Sequence, residues 1–165
     1  MIRKSASDRE SAAASAPPRH TRHVTTPDAY TFDDDRARVD RDVVWGFLGS
    51  DAYWGRWRDR DTVLAQLDGA WRVVGAYDRS DGAMVGYARA VSDGYGVAYL
   101  ADVFVVPAHR GRGIGHGLVR TMVDEGPGAR FRWMLHTADA HDVYAAFGFR
   151  PPDGTMLERP ATLDR

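Results

Sequence analysis

The stretch Val103-Phe-Val-Val-Pro-Ala-His-Arg-Gly-Arg-Gly-Ile-Gly-His116 decides the fold of this chain. Its apolar, β-type run stops at Pro107, a turn dense in arginine and glycine follows, and the next residues have helical spacing. A helix that begins there presents several unpaired N–H groups and the positive end of its dipole, where phosphates bind. The glycines let the backbone approach a ligand closely. The pattern therefore predicts a phosphate-bearing ligand held mainly by main chain.

Several interpretations of this loop compete, and the glycine spacing separates them. A P-loop needs a lysine and a Ser or Thr after its last glycine, and the only lysine of the chain is Lys4. The dinucleotide fingerprint Gly-x-Gly-x-x-Gly has no match, whether it is started at Gly111 or at Gly113. The hexamer Arg110-Gly-Arg-Gly-Ile-Gly115 fits Arg/Gln-x-x-Gly-x-Gly/Ala instead. A glycine-rich turn without a ligand is the remaining alternative.

This hexamer resembles the coenzyme A pyrophosphate loop of the GNAT superfamily of N-acetyltransferases. A second motif, Tyr144-Ala-Ala-Phe-Gly-Phe149, is similar to the family's Tyr-x-x-x-Gly-Phe and follows in the family's order. The resemblance covers residues 29–160. It implies acetyl-CoA as a co-substrate and the family's fold, a mixed central sheet flanked by helices.

The order of elements read from the residues is that of an α/β protein. Apolar residues at helical spacing predict a helix over residues 39–48, and Thr62 is expected to cap a second helix. A meander of strands is predicted next, and later a helix closed by Gly148. The expected strands are residues 30–32, 70–77, 83–91, 97–106, 131–135 and 156–159, and the later helices begin at Ile114 and Ala140.

Composition excludes several classes of protein. The 165 residues carry a net charge of −1 and no cysteine, which rules out disulfides, thiolate metal sites and a cysteine nucleophile. No apolar run approaches the roughly 18 residues of a membrane-spanning helix. We expect a cytoplasmic protein that binds neither nucleic acid nor membrane.

Residues 1–27 differ from the rest, being rich in Ser, Ala, Pro and Arg and poor in large aliphatic side chains. Such a segment buries too little apolar area to offset its ordering entropy, which predicts a disordered tail. Docking on a partner subunit and a transit peptide are the alternatives. Residues 28–165 are expected to form the acetyltransferase domain.

The resemblance implies where the donor binds. In the family, the strand before the glycine loop splays from its parallel neighbour, and the pantetheine arm pairs with the strand backbone in the gap. Val103 and Val105 are the matching backbone contacts, and the N–H of Phe104 is expected to polarise the thioester carbonyl. Thr137 lies where many members carry an asparagine that contacts the cofactor. The pyrophosphate would be held by Arg110, Gly111, Arg112, Gly113, Ile114 and Gly115, with His116 beside them.

Tyr144 is the candidate general acid, because it matches the family tyrosine that approaches the coenzyme sulfur. It also lies on the apolar stripe with Val143 and Phe147, so a place in the core is the alternative.

Asp102 is the candidate general base or amine-binding residue. It interrupts an apolar strand and is expected on the face shared with Leu100 and Phe104, where a carboxylate is costly unless paired or wetted. A salt bridge to an arginine such as Arg89 is the alternative.

The loop Tyr53-Trp-Gly-Arg-Trp57 is expected to form one wall of the site for the acetyl acceptor, with Tyr53 and Trp54 binding this substrate. Packing within the helix pair, or at a dimer interface, is the alternative. His136 and His141 are too poorly spaced to predict a metal site.

Together these features predict an N-acetyltransferase that moves an acetyl group from acetyl-CoA to a primary amine by direct attack. A small-molecule amine is favoured over a protein amine, because no peptide-recognition motif is found. A coenzyme A-binding regulatory module without turnover is the main alternative, and a homodimer is left open. Nucleic-acid binding through the basic tail is disfavoured by the net negative charge of the remaining residues.

Overall fold

The computed structural model describes residues 28–55 and 57–160. The predicted tail, residues 1–27, lies outside the described residues. Within the described ranges, five strands form one sheet in the order β1-β2-β3-β4-β5, antiparallel except for the parallel pair β4 and β5. The strands are β1 (Tyr30–Asp33), β2 (Arg72–Asp78), β3 (Met84–Ser92), β4 (Val97–Val105) and β5 (Arg132–Met134).

Helices cover both faces of the sheet, which confirms the predicted mixed sheet flanked by helices. They are α1 (Arg41–Ser50), α2 (Arg60–Asp68), α3 (Ile114–Val123) and α4 (His141–Ala145), with short 3-10 turns at Arg36–Arg38 and Pro107–His109. No helix in the described ranges is long and apolar enough to cross a membrane.

Alternation along the strands divides the core into two clusters. Val73 faces α1 and α2, whereas its neighbour Val74 faces α3. The first cluster also contains Val44, Phe47, Leu48, Val63, Leu67, Tyr87 and Phe104. The second contains Ala76, Val85, Leu100, Ile114, Leu118, Val119 and Met122. The helices thereby bury the apolar side chains on both faces of the sheet.

Acidic caps fix where α1 and α2 begin. The Asp40 carboxylate accepts from the N–H groups of Asp42 and Val43. Asp59 caps α2 and accepts from the N–H of Thr62 at 2.8 Å. Thr62 is therefore inside the helix and is not its cap, because the carboxylate three residues earlier satisfies the free N–H.

Arg72 of β2 holds the C-terminal end of α3. Its buried guanidinium donates to the carbonyls of Thr121, Met122 and Glu125 at 2.8–2.9 Å. A cation at this end complements the helix dipole and satisfies the free carbonyls. The sheet therefore fixes α3 with its N-terminus at the carboxyl end of β4.

The middle of β4 contains a β-bulge. The register passes from Arg89↔Ala101 to Tyr87↔Phe104, so that β4 has one residue more than β3 over this interval. Asp102 lies in the bulge at φ 49°, in the left-handed region. Leu100 consequently packs toward α3 and Phe104 toward α1 and α2. The prediction that Leu100, Asp102 and Phe104 share a face is wrong, because the extra residue reverses the alternation.

The expected last strand at residues 156–159 is absent from the described chain. Residues 150–160 are exposed and form no strand there. They include Pro151 and Pro152, which cannot donate to a sheet ladder. The predicted closure of the last helix at Gly148 is close to what is found: α4 ends at Ala145, and Gly148 follows at φ 81°.

Candidate active site

Strands β4 and β5 separate at the place where the sequence predicts that acetyl-CoA binds. Their parallel pairing covers only Val97, Ala98 and Tyr99 of β4. Beyond Tyr99 no strand of the described residues lies beside this edge of β4, because β5 ends at Met134. The backbone groups that point away from β3 therefore line an open edge.

The register with β3 determines which groups these are. The Val106 N–H donates to the Val85 carbonyl at 2.9 Å, and Phe104 is aligned with Tyr87. Because antiparallel pairs alternate, the N–H of Phe104 points at β3, whereas those of Val103 and Val105 point at the open edge. The expected contacts of Val103 and Val105 fit this geometry. Phe104 does not fit the expected oxyanion role, because its N–H is directed into the sheet.

The glycine loop forms a backbone cradle at the N-terminus of α3. Gly111 and Gly113 adopt φ values of 74° and 77°, which favour glycine. Gly113 is the N-cap residue and offers no side chain, and the first turn of α3 carries no acidic residue. The first helical hydrogen bond runs from the Gly117 N–H to the Gly113 carbonyl at 3.1 Å. The N–H groups before Gly117 are left for an anion.

A cleft of about 390 Å³ opens at this cradle, with Val105 on one wall and Val143 on the other. A Cβ at Gly111 or Gly115 would meet no atom within 4 Å, so the space above the backbone is free. Of the predicted pyrophosphate contacts the cleft is lined by Arg110, Gly111, Gly113, Ile114, Gly115 and His116. Their arrangement fits a pyrophosphate bound by main chain.

Arg112 is directed away from this cleft. Its guanidinium donates to the Tyr30 hydroxyl at 3.0 Å, and that hydroxyl also lies 3.0 Å from His109 Nδ1. Arg110 Nε donates to the Val105 carbonyl at 3.1 Å. Both arginine side chains thus anchor the loop to the sheet. Tyr30 and His109 were not predicted as part of the site, because only the fold brings them to the loop.

Tyr144 is half-buried on α4, packed against the second core cluster and edge-to-face with Phe149 at 5.8 Å. Within the described chain its hydroxyl has no hydrogen-bond partner. Burial raises the pKa of the Tyr144 phenol, and the nearby Asp139 carboxylate and Tyr53 phenol add to the shift. The hydroxyl is therefore protonated near neutral pH, as a proton donor must be.

Tyr144 and Thr137 line a second cavity, of about 1360 Å³, between α4, β5 and the residues that follow α4. Val143, the neighbour of Tyr144, lines the cleft of the glycine loop, so α4 borders both spaces. The Thr137 hydroxyl accepts from the Ala140 N–H at 3.1 Å and shapes the turn before α4. His116 lies across from Phe147, with ring centroids 5.7 Å apart.

Asp102 belongs to a largely buried group of three charges, with Arg58 and Arg89. The Arg58 guanidinium binds both carboxylate oxygens at 2.8 and 2.9 Å, and Arg89 Nε donates at 2.5 Å. The side chains of Arg58 and Asp102 are 3% and 4% exposed. Burial alone would raise the pKa of Asp102, but the hydrogen bonds and charges of the two arginines hold it below its ordinary value. The predicted alternative, a salt bridge to Arg89, is present, and a carboxylate so paired is a weak base.

Arg58 was not singled out from the sequence. It is 44 residues from Asp102 in the chain, and nothing in its neighbourhood distinguishes it from other loop arginines. Its contact with Gln66 at 2.6 Å also ties the loop to α2.

The loop before α2 exposes three aromatic side chains. Tyr53, Trp54 and Trp57 are 57%, 38% and 43% exposed. Trp54 lies 6.4 Å from Phe47, and Phe47 stacks on Phe104 of β4 at 4.1 Å. Successive ring contacts therefore connect Tyr53 and Trp54, which were predicted to bind the amine, to β4, the strand predicted to contact acetyl-CoA.

The two histidines weighed as metal ligands have different surroundings. His136 Nδ1 lies 2.8 Å from the Tyr99 hydroxyl, and His136 Nε2 lies 3.3 Å from Glu158. His141 is the first residue of α4. Within residues 28–55 and 57–160 no group of three His, Asp or Glu side chains is arranged to hold a metal ion.

Comparison with known proteins agrees with this geometry. The model of the acetyltransferase (GNAT) family matches residues 44–149, more than half of the chain. A candidate acetyltransferase of Gibberella zeae is 29% identical over 109 residues, which are 59% of this chain and 59% of that protein. The chain thus spans about three fifths of the length of this curated relative.

Two solved structures have the same fold. One, a candidate GNAT acetyltransferase of Xanthomonas campestris pv. campestris, has a TM-score of 0.72 and 32% identity, covering 80% of this chain and 93% of that one. Another, a candidate acetyltransferase of Deinococcus radiodurans, has a TM-score of 0.58 and 24% identity, covering 80% and 90%. On its motifs, its sheet topology and these matches, the chain belongs to the acetyltransferase (GNAT) family, whose members use acetyl-CoA as a co-substrate and act on amines.

Proposed function

We propose that this protein transfers the acetyl group of acetyl-CoA to a primary amine of a small molecule by direct attack. The observation that carries the proposal is the side-by-side position of two features. The bare N-terminus of α3 suits a pyrophosphate, and the unpaired edge of β4 suits the pantetheine arm.

The backbone supplies the polarising groups in this mechanism. The N–H groups of Val103 and Val105 face the open edge and replace that of Phe104 as donors to the thioester carbonyl. The amine nitrogen attacks the carbonyl carbon, the C–S bond breaks, and the sulfur keeps the electron pair.

Two proton transfers then complete the reaction. The Tyr144 hydroxyl gives its proton to the sulfur, and the surplus proton of the attacking nitrogen returns to the phenolate through water. We assign Asp102 no role in proton transfer, because its carboxylate is bound by two arginines. Tyr53 and Trp54 hold the acceptor beside the thioester.

The proposal is tested by following free-thiol release from acetyl-CoA with a panel of primary amines. Amine-dependent release supports the transferase. A rise in melting temperature with acetyl-CoA but no release with any amine would favour the regulatory module that binds coenzyme A without turnover. Failure of acetyl-CoA to raise the melting temperature would contradict both.

Replacing Tyr144 by phenylalanine removes the proposed proton donor and keeps the ring packing. We expect kcat to fall about 100-fold, within the usual range for loss of a general acid, while the Kd of acetyl-CoA stays unchanged. Stopped-flow thiol release and calorimetric titration measure the two quantities. Tyr95→Phe is the matched control, because Tyr95 is 90% exposed in the β3–β4 turn. Unchanged turnover in Tyr144→Phe would remove Tyr144 from the mechanism.

A further inference from the structure

The loop between α1 and α2 exposes an aromatic surface. Three of its side chains, Tyr53, Trp54 and Trp57, are exposed, although they are among the largest apolar groups of the chain. Tyr53 packs edge-to-face on Trp54 at 4.9 Å, and the Trp57 indole N–H donates to the Trp54 carbonyl at 3.1 Å. A contiguous exposed group of this kind marks a binding surface. We call these three residues the aromatic face.

Two contacts hold the aromatic face in place. A Cβ at Gly55 would lie 2.3 Å from the Leu48 carbonyl oxygen, so the loop lies directly on the end of α1. Arg58, which follows Trp57, is buried and bound to Asp102. The face is therefore anchored at its base to the bulge of β4.

The aromatic face leads toward the reacting groups. The ring contacts of Trp54 with Phe47, and of Phe47 with Phe104, end on the strand whose edge receives the thioester. The Tyr53 phenol contributes to the raised pKa of the Tyr144 phenol. A ligand on this face has its body against the rings of Tyr53 and Trp54.

Among the described residues, the charges at the base of the aromatic face disfavour a second ammonium group on the ligand. The only carboxylate of β4, Asp102, is bound by two arginines, which leaves this buried group with a net positive charge. Arg110 adds another guanidinium, 5.8 Å above the Phe47 ring. In the loop, the Asp59 carboxylate already accepts from the Thr62 N–H. Asp51 is exposed to water, where an ion pair contributes little.

From these contacts and charges we infer that the acceptor is a monoamine with an aromatic body, which stacks on the aromatic face while its amino group reaches the thioester. This inference rests on the proposed function and specifies its substrate class. Aromatic side chains favour such ligands through offset and edge-to-face contacts. A polyamine, held by cation–π contacts, is the competing acceptor.

The experiment compares three amines on the full chain: phenethylamine, hexylamine and spermidine. We expect kcat/KM for phenethylamine to exceed that for either other amine by about tenfold, the value of a good aromatic contact. Equal values for phenethylamine and hexylamine, or a preference for spermidine, would overturn the inference while leaving the transferase intact. No thiol release with any amine would instead contradict the proposed function itself.

Variants of the face sharpen the test. Trp54→Ala is expected to raise KM for phenethylamine about tenfold and to leave that for hexylamine unchanged, and Trp54→Phe should restore much of the loss. Tyr95→Ala, an exposed aromatic in the β3–β4 turn, is the control. Asp51→Asn should leave the KM for phenethylamine unchanged. A rise in this KM would show that the Asp51 carboxylate binds the ammonium group. A change in oligomeric state with Trp54→Ala, with KM unaltered, would assign the face to a second copy and overturn the inference.

Discussion

Asp102→Asn is expected to lower the free energy of unfolding by about 3–5 kcal/mol, because it leaves the buried Arg58 and the partly buried Arg89 without their anion. Asparagine has nearly the same volume as aspartate and tolerates the left-handed conformation that residue 102 adopts at φ 49°. The substitution therefore removes the charge without straining the bulge. Urea unfolding gives the free energy, and the melting temperature should fall on the order of 10 °C.

Asp42→Asn is the matched control, because it removes the same charge from an exposed pair. Asp42 binds Arg60 at 2.8 Å, but its side chain is 85% exposed, so the loss should stay below about 1 kcal/mol. A similar small loss for Asp102→Asn would mean that water reaches the two arginines, and the group would then not hold the acceptor loop to β4.

The same substitution predicts a pH dependence. The pKa of Asp102 is lowered in the folded chain, so its contribution to stability is complete above the ordinary carboxyl value of about 4 and is lost as the pH falls through the lower folded value. The stability difference between the native chain and Asp102→Asn should therefore be constant near neutral pH and shrink below about pH 4. A difference that grows in acid would contradict the lowered pKa. Unfolding curves of both proteins at pH 7 and at pH 3 measure it.

Local patterns predicted most of the fold. The alternation and turns of residues 70–106 placed β2, β3 and β4 within two residues of their observed ends, and the change to helical spacing after Gly113 marked the start of α3. These features depend on side-chain periodicity and glycine conformation, which are properties of neighbouring residues. The cradle of the candidate site was predictable for the same reason.

The parts that could not be predicted depend on contacts between distant residues. An aspartate in the left-handed region gives no sequence signal comparable to glycine, so the bulge at Asp102 and the reversal of faces were missed. Arg58 gained its role from a partner 44 residues away. No strand in the described part of the chain lies beside residues 156–159, and an extended pattern without a partner is not a strand.

Gly115→Asp is expected to weaken acetyl-CoA binding about a thousandfold while leaving the fold intact. Gly115 lines the cleft in the first turn of α3, and a Cβ there meets no atom within 4 Å. An aspartate in the first turn also complements the helix dipole, so the free energy of unfolding should not fall. At the site of the pyrophosphate, however, a carboxylate about 4 Å from a phosphate oxygen costs roughly 4 kcal/mol at an effective dielectric constant of 20, or about a thousandfold in affinity. Calorimetric titration with acetyl-CoA measures the loss.

Gly115→Ala is the control that separates charge from bulk. Alanine fills the same open space, removes the entropy cost of glycine in a helix, and should stabilise the chain by roughly 0.5–1 kcal/mol. Its acetyl-CoA affinity should remain within about threefold of the native value, since a methyl group leaves the N–H groups of the cradle exposed. If Gly115→Asp still bound acetyl-CoA with native affinity, the pyrophosphate would lie elsewhere. The alternative, a glycine-rich turn that binds no ligand, would then be favoured. If both variants lost affinity equally, contact of the ligand with the bare backbone at residue 115, rather than charge, would determine binding.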